Sequence, residues 1–483
     1  MKNSKLASVL SKLSKTEFKN FVKFVKSPYY NSNAKIISIV ELIAKYFPVL
    51  ESEKLSKENI YKHIYPKEKY NDSTARGLLS STLKMAEDFL VAENIKNHKY
   101  KYKDALLTEL CHREVHDLFN INAKTVRNEL EKIKYKDESE FFMGFRLETL
   151  INYTFSRTYI PLTQKDIPGD SNTNDTDNLI NYFLIIILSR YNYLLTKTGS
   201  LNIKMDFKLF DEIIDYLSKT DLQHLPALNF QYNRAMLYRS GMDEKYFHIL
   251  KKILYEDMDK LDRQDMHNLF GTLQNYSVVK NRQRADKNYE DHFELIQFAI
   301  KNDLLAIEEN EPVHPVLFSN VVNTSLQLKK VKEAKDFIFK YKDRLLPERV
   351  DTAFNFNIAR VYQYEKKYDE ALSSLALAQN EDVFYKLSIK NAYAQIYYEK
   401  GFIEELIFLL DTYKSLVNSN ILINDSLKEG HLNFISLLYK IIKLKSKKDK
   451  NEIEYLKHEA AKIIAVTEKI WLMEKIDELL ETI

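Results

Sequence analysis

One cluster in the chain has residue types that could hold a metal: Cys111-His112-Arg113-Glu114-Val115-His116. On a single helix His112 and His116, four apart, would share a face, as two ligands of one zinc ion must. The order is H-x-E-x-H, whereas zinc hydrolases use H-E-x-x-H. Cys111 would point about 100° away from His112 on a helical wheel, and no third ligand is identifiable in the sequence. Ordinary surface and core histidines are therefore expected, with no metal and no cofactor.

Other chemistry is thinly represented. No G-x-G-x-x-G, G-x-x-x-x-G-K-[ST] or G-x-S-x-G occurs, which argues against dinucleotide, P-loop and serine-hydrolase sites. Carboxylate pairs such as Glu308-Glu309 and Glu404-Glu405 read as solvated helix faces. His98 to Lys103 interleaves Lys with Tyr, a composition that could neutralise phosphate and stack bases. Alternate residues of a helix do not share a face, so a solvated junction is the better reading. The expectation is a protein without catalytic activity.

The elements that would position such residues are helices. Only 8 glycines and 9 prolines occur in 483 residues, so few tight turns and few helix breaks are expected. Aromatic residues reach 12%, mainly 32 Tyr and 27 Phe, enough to pack helix on helix. No segment alternates with period two between hairpin turn signals. Ser14-Lys15-Thr16-Glu17 predicts a capping box, followed by a stripe at Phe18, Phe21, Val22 and Val25. Pro28 stops that helix. Further helices are predicted over about Ala34–Tyr46 and Lys57–Ile64. A long one is capped by Asn71-Asp72, with a stripe at Leu79, Leu83, Ala86 and Leu90. Residues 1–97 thus form a small helical domain and 98–162 connecting helices. Thr163–Asn178, with Pro168 and Gly169, reads as a loop before an array over 179–483.

Charge and cysteine count narrow the setting. Residues 1–103 hold 20 Lys+Arg against 10 Asp+Glu, so a basic head precedes an acidic body. The single cysteine, Cys111, excludes an internal disulfide and fits a reducing compartment. Met1 to Leu13 lacks the apolar core of a signal peptide. The run Phe183 to Leu188 is too short to span a bilayer and reads as buried core. A cytoplasmic protein without a membrane span is expected.

An internal repeat is clearest over 316–413. Asn355-x2-Ile358-Ala359-x2-Tyr362 precedes Tyr368-Asp369-Glu370-Ala371-x3-Leu375 and Ala378. This resembles a tetratricopeptide repeat, W-x2-L-G-x2-Y followed by A-x3-F. Small Ala359 and Ala371 would let two antiparallel helices approach, with Tyr362 and Leu375 filling the space beside them. Val322-x2-Ser325 with Ala334-x3-Ile338 lies before it, and Ala394-x2-Tyr397 with Leu406-x3-Leu410 after it. The anchors Ala334, Ala371 and Leu406 are 37 and 35 residues apart, against a family period of 34. Asn355 replaces the typical tryptophan and Val383 the typical proline, and an irregular helical bundle is the alternative. Separately, Phe21-x2-Phe24 followed by Ser27-Pro28-Tyr29-Tyr30-Asn31 is similar to the start of uncharacterised bacterial proteins that carry helical repeats.

The resemblance implies an all-α, right-handed solenoid of antiparallel helical hairpins, behind a small N-terminal helical domain. Such solenoids bind protein segments on their concave face. By family geometry the inward residues are Tyr232 and Arg239, Asn323 and Gln327, Arg360 and Gln363, and Asn391 and Gln395. The expected function is a scaffold or adaptor for a protein or peptide partner. The alternative is a nucleic-acid-binding regulator that uses the basic residues 1–103, with the repeats as sensor.

Overall fold

The sequence places a capping residue before about half of its helices, and the structure uses them. In the computed structural model Ser14 and Glu17 close the expected capping box. The Asn71 side chain accepts from Thr74 N–H at the start of the long helix. The structure describes residues 4–157, 174–198, 201–203, 205–283, 289–308, 311–378 and 382–482. Among them are 23 α-helices and no strand, with one isolated antiparallel bridge between Leu201 and Ile423.

Two compact units are present: Met1–Lys132 with Met143–Ser171, and Ile133–Phe142 with Asn172–Ile483. The first contains α1 (Lys5–Leu10), α2 (Lys15–Lys26), α3 (Ala34–Ala44), α4 (Lys57–Ile64), α5 (Asp72–Asn97), α6 (Lys101–His112) and α7 (His116–Glu131). It also holds most of α8 (Glu138–Arg157), whose first turn belongs to the second unit. Its core gathers Leu10, Phe21, Val25, Ile39, Ile43, Leu55 and Phe89. Phe18, Phe21 and Val25 are buried as their spacing predicts. The expected stripe of α5 is met at Ala86 and, half-buried against the core, at Leu79 and Leu83, and differs at Leu90. Its buried residues are Ala75, Leu78, Thr82, Met85, Ala86 and Phe89, while Leu90 is exposed. The helix is rotated so that Phe89, larger than Leu90, packs its ring against Phe21 and Phe24.

The second unit continues with α9 (Asn174–Thr198), α10 (Phe210–Ser218), α11 (Pro226–Arg239), α12 (Glu244–Glu256), α13 (Arg263–Gln283) and α14 (Tyr289–Lys301). Then come α15 (Pro315–Gln327), α16 (Val331–Tyr341), α17 (Pro347–Tyr364), α18 (Tyr368–Leu377) and α19 (Val383–Lys400). The last are α20 (Ile403–Ser419), α21 (Asp425–Lys447), α22 (Lys450–Lys462) and α23 (Lys469–Glu481). Of the expected loop Thr163–Asn178, residues 163–173 lie outside the described residues, and from Asn174 onward the chain is already helical.

Each consecutive pair of helices from α11 to α21 is in contact, and α9–α11, α11–α13, α15–α17 and α17–α19 also touch. The turns share one device. A left-handed residue follows the first helix at Gly241 and Met242, Lys329, Lys366 and Gly401. The next N–H then reaches back five residues: Met242 to Leu237 O, Lys330 to Ser325 O, Lys367 to Tyr362 O and Phe402 to Tyr397 O, all at 2.8–2.9 Å. These are Schellman caps, which satisfy carbonyls that the helix end would otherwise orphan. Two of the four turns contain no glycine. Scarce glycine therefore does not mean few tight turns here, because the capping bonds hold lysine in the left-handed region.

The small residues of the repeat lie where close approach demands them. Ala359 and Ala371 are fully buried, in one cluster with Phe356, Leu375, Ala378 and Ile396. In α9, Leu184, Ile185 and Leu188 are buried, whereas Phe183 and Ile186 are exposed. Length and composition over Thr176–Thr198 also meet the requirements of a membrane span. In the structure Asn192, in the C-terminal third of this helix, is buried and donates to Gln231 of α11.

Candidate functional site

The Cys111–His116 cluster is broken by the fold. Helix α6 ends at His112 and α7 begins at His116, with Glu114 left-handed between them. The two histidines therefore do not share a helix face. Cys111 is buried against the Thr154 hydroxyl at 3.1 Å, and exposed His112 meets the edge of Tyr153. Among the described residues no group of three His, Cys, Asp or Glu could hold a metal.

The eight residues expected to line a binding surface fall into three groups. Tyr232 packs half-buried, and burial pushes its hydroxyl up from the usual phenol range, with Tyr246 adding to the shift. Arg239 pairs with Asp211 at 2.9 Å and lies over the Phe210 ring. Asn323 and Gln327 are exposed on α15. None of these four joins a common cluster. Arg360, Gln363 and Gln395 do. Gln395 Oε1 accepts from Arg360 Nη1 at 3.0 Å and from Gln363 Nε2 at 2.6 Å, and Arg360 Nη1 also reaches Gln363 Oε1 at 3.0 Å. Asn391, one turn before Gln395, is buried and accepts from the Tyr413 hydroxyl at 2.7 Å.

The cluster is completed by a residue far along the chain. Glu468 Oε2 accepts from Gln395 Nε2 at 3.1 Å and lies 3.9 Å from Arg360 Nη2. Its backbone is left-handed, at φ 54°, which costs a non-glycine residue about 1–2 kcal/mol. The short segment before it is strapped to α21. Asn433 Nδ2 donates to Ala465 O at 2.9 Å, and Thr467 N–H to Gly430 O at 3.1 Å. Lys469 Nζ holds the Ile463 carbonyl at 2.6 Å. The result is an irregular segment of backbone whose carboxylate is received by the Gln395 carboxamide of α19 with the Arg360 guanidinium of α17 beside it, while Gln363 supports both of those side chains. Groups of this kind recognise carboxylates by donated hydrogen bonds.

Two neighbouring contacts fix the C-terminal helices against the same surface. Fully buried Tyr413 has a single hydroxyl hydrogen. If it is donated to Asn391, the hydroxyl accepts from His431 Nδ1 at 2.6 Å. Burial holds this hydroxyl well above the usual phenol range, and Glu468 adds to the effect. On α23, Lys475 is buried and pairs with Glu399 and Glu478, each at 2.7 Å. Burial alone would lower its pKa, but hydrogen bonds to both carboxylates raise it overall. Trp471 Nε1 donates to Glu399 at 3.0 Å.

Glu468, Thr467, Lys475 and Trp471 carry no signal of this role in the sequence, where Glu468 stands 73 residues from Gln395. No family model, curated protein or solved structure matches the chain.

Proposed function

We propose that the second unit is a right-handed solenoid of tetratricopeptide-like hairpins, serving as a non-catalytic scaffold or adaptor for a segment of a partner protein. The observation that carries this reading is the reception of Glu468 by Gln395 and Arg360, which Gln363 braces. The chain offers its own irregular segment, carboxylate first, to residues that hairpin geometry assigns to the inner helices. The repeated left-handed turns and the small residues at the α17–α18 crossing support regular stacking. A partner segment carrying an acidic side chain fits the same donors.

The test compares capture of partners by the intact chain with capture by Arg360→Ala/Gln395→Ala, after circular dichroism has shown equal helix content. A protein retained by the wild type and released by the variant supports the proposal. Equal retention by both dismisses it. Salt-sensitive retention of nucleic acid alone, lost on neutralising lysines within residues 1–103, would replace it with the regulator reading.

A further inference from the structure

Arg234 on α11 is a buried cation without a matching anion. The residue is 7% exposed. Its Nε has no hydrogen-bond partner of normal geometry, and the hydroxyl of Tyr238 beside it is the one neutral group that favours its charged form. Among the described residues no carboxylate lies within ion-pair distance of it. Its guanidinium lies over the Phe230 ring, at 5.9 Å. The nearby Asp265 favours the Arg234 charge and is favoured by it, but makes no ion pair with it. That carboxyl accepts from Gln231 Nε2 at 3.0 Å. Burial first, then Asp262 and Glu138, push it up to about 8, so it is mostly protonated at neutral pH. Burial in turn pulls the Arg234 guanidinium below its usual range. An uncompensated buried charge is costly, and such groups persist where a ligand completes them.

Arg234 lines a cavity of about 340 Å³ between α9, α11 and α13. A second guanidinium, Arg190, lies on the same wall system, with the carboxamides of Gln264 and Asn268 and the apolar sides of Ile186 and Tyr193. Arg190 also lies over the Tyr193 ring at 5.4 Å. Two guanidiniums and two carboxamides make a donor-rich, doubly positive recess. A planar guanidinium matches oxyanions bidentately, without the glycine-rich loop that this chain lacks. Two positive charges suit a dianion better than a single carboxylate, and the volume leaves room for an organic group against Ile186 and Tyr193.

We propose that this cavity binds a small phosphomonoester dianion, with Arg234 and Arg190 as its charge partners. The site shares no residue with the Arg360–Glu468 cluster and stands or falls apart from the scaffold reading.

Calorimetric titration and thermal melting of the full chain test it at constant ionic strength, with phenyl phosphate, inorganic phosphate and benzoate as probes. Phenyl phosphate should bind saturably and raise the melting temperature. Arg190→Gln, an exposed position, should weaken binding about tenfold or more while leaving the ligand-free melting temperature unchanged. Arg234→Met should abolish binding and melt no lower than the wild type without ligand, because the unpaired charge is gone. Three results overturn the proposal: no saturable binding of phenyl phosphate, benzoate or inorganic phosphate binding more tightly than phenyl phosphate, or wild-type affinity in Arg190→Gln. If Arg234→Met fails to fold, Arg190→Gln alone decides.

Discussion

Replacing Glu399 by Gln isolates the charge that holds α23 in place. Lys475 has a side chain only 8% exposed and pairs with Glu399 and Glu478, each at 2.7 Å. Deleting one partner of a buried ion pair costs about 3–5 kcal/mol. The Glu478 side chain remains on the ammonium but is 57% exposed, so it offsets only part of that loss. We expect Glu399→Gln to destabilise the C-terminal helices by about 2 kcal/mol. The amide can still accept the Trp471 N–H, so the change reports the charge and not the indole bond. Trp471 is the only tryptophan of the chain, and its fluorescence follows the undocking of α23 directly. The fluorescence midpoint should fall by roughly 4–8 °C. Adding Lys475→Met should bring the double variant to within about 1 kcal/mol of the wild type, because no unpaired charge is left. A single variant with an unchanged midpoint, or a double variant less stable than the single one, would refute this account.

Three further outcomes follow from the same geometry. Ala371→Leu overfills the α17–α18 crossing, where Ala371 is fully buried, and should cost about 1–3 kcal/mol in thermal unfolding. Tyr413→Phe removes the hydroxyl shared by Asn391 and His431 and should cost about 1–3 kcal/mol, measured by chemical denaturation. The pKa of Asp265 is raised from an ordinary value of 3.8 to about 8. Its contribution to stability is therefore full below about pH 4 and lost as pH rises through 8, by up to about 1.4 kcal/mol per pH unit. Asp265→Asn should flatten that decline and melt higher than the wild type at pH 8; parallel melting curves across the range would show that Asp265 is not the titrating group.

Much of the local structure is legible in particular residues. The Ser14–Glu17 box starts α2 as written, and Pro28 lies just beyond its end. Ala359 and Ala371 mark the α17–α18 crossing, where both are buried in one cluster and a small side chain lets the helices approach. The α5 stripe was less legible. Two apolar registers, one through Leu90 and one through Phe89, are compatible with its sequence, and the partner rings of Phe21 and Phe24 select the second. The histidine pair looked like a helix-face motif because its spacing ignores the left-handed break at Glu114.

What the sequence determined alone is local: where helices begin and end, and which faces are apolar. Helix caps and stripes depend on residues within four or five positions, so one chain suffices to read them. Tertiary structure decided which polar residues meet. Gln395 finds Glu468 across 73 residues, and among the described residues Arg234 finds no ion-pair partner. Such outcomes depend on how distant helices stack and on what each burial leaves unsatisfied, and no spacing rule along the chain encodes either.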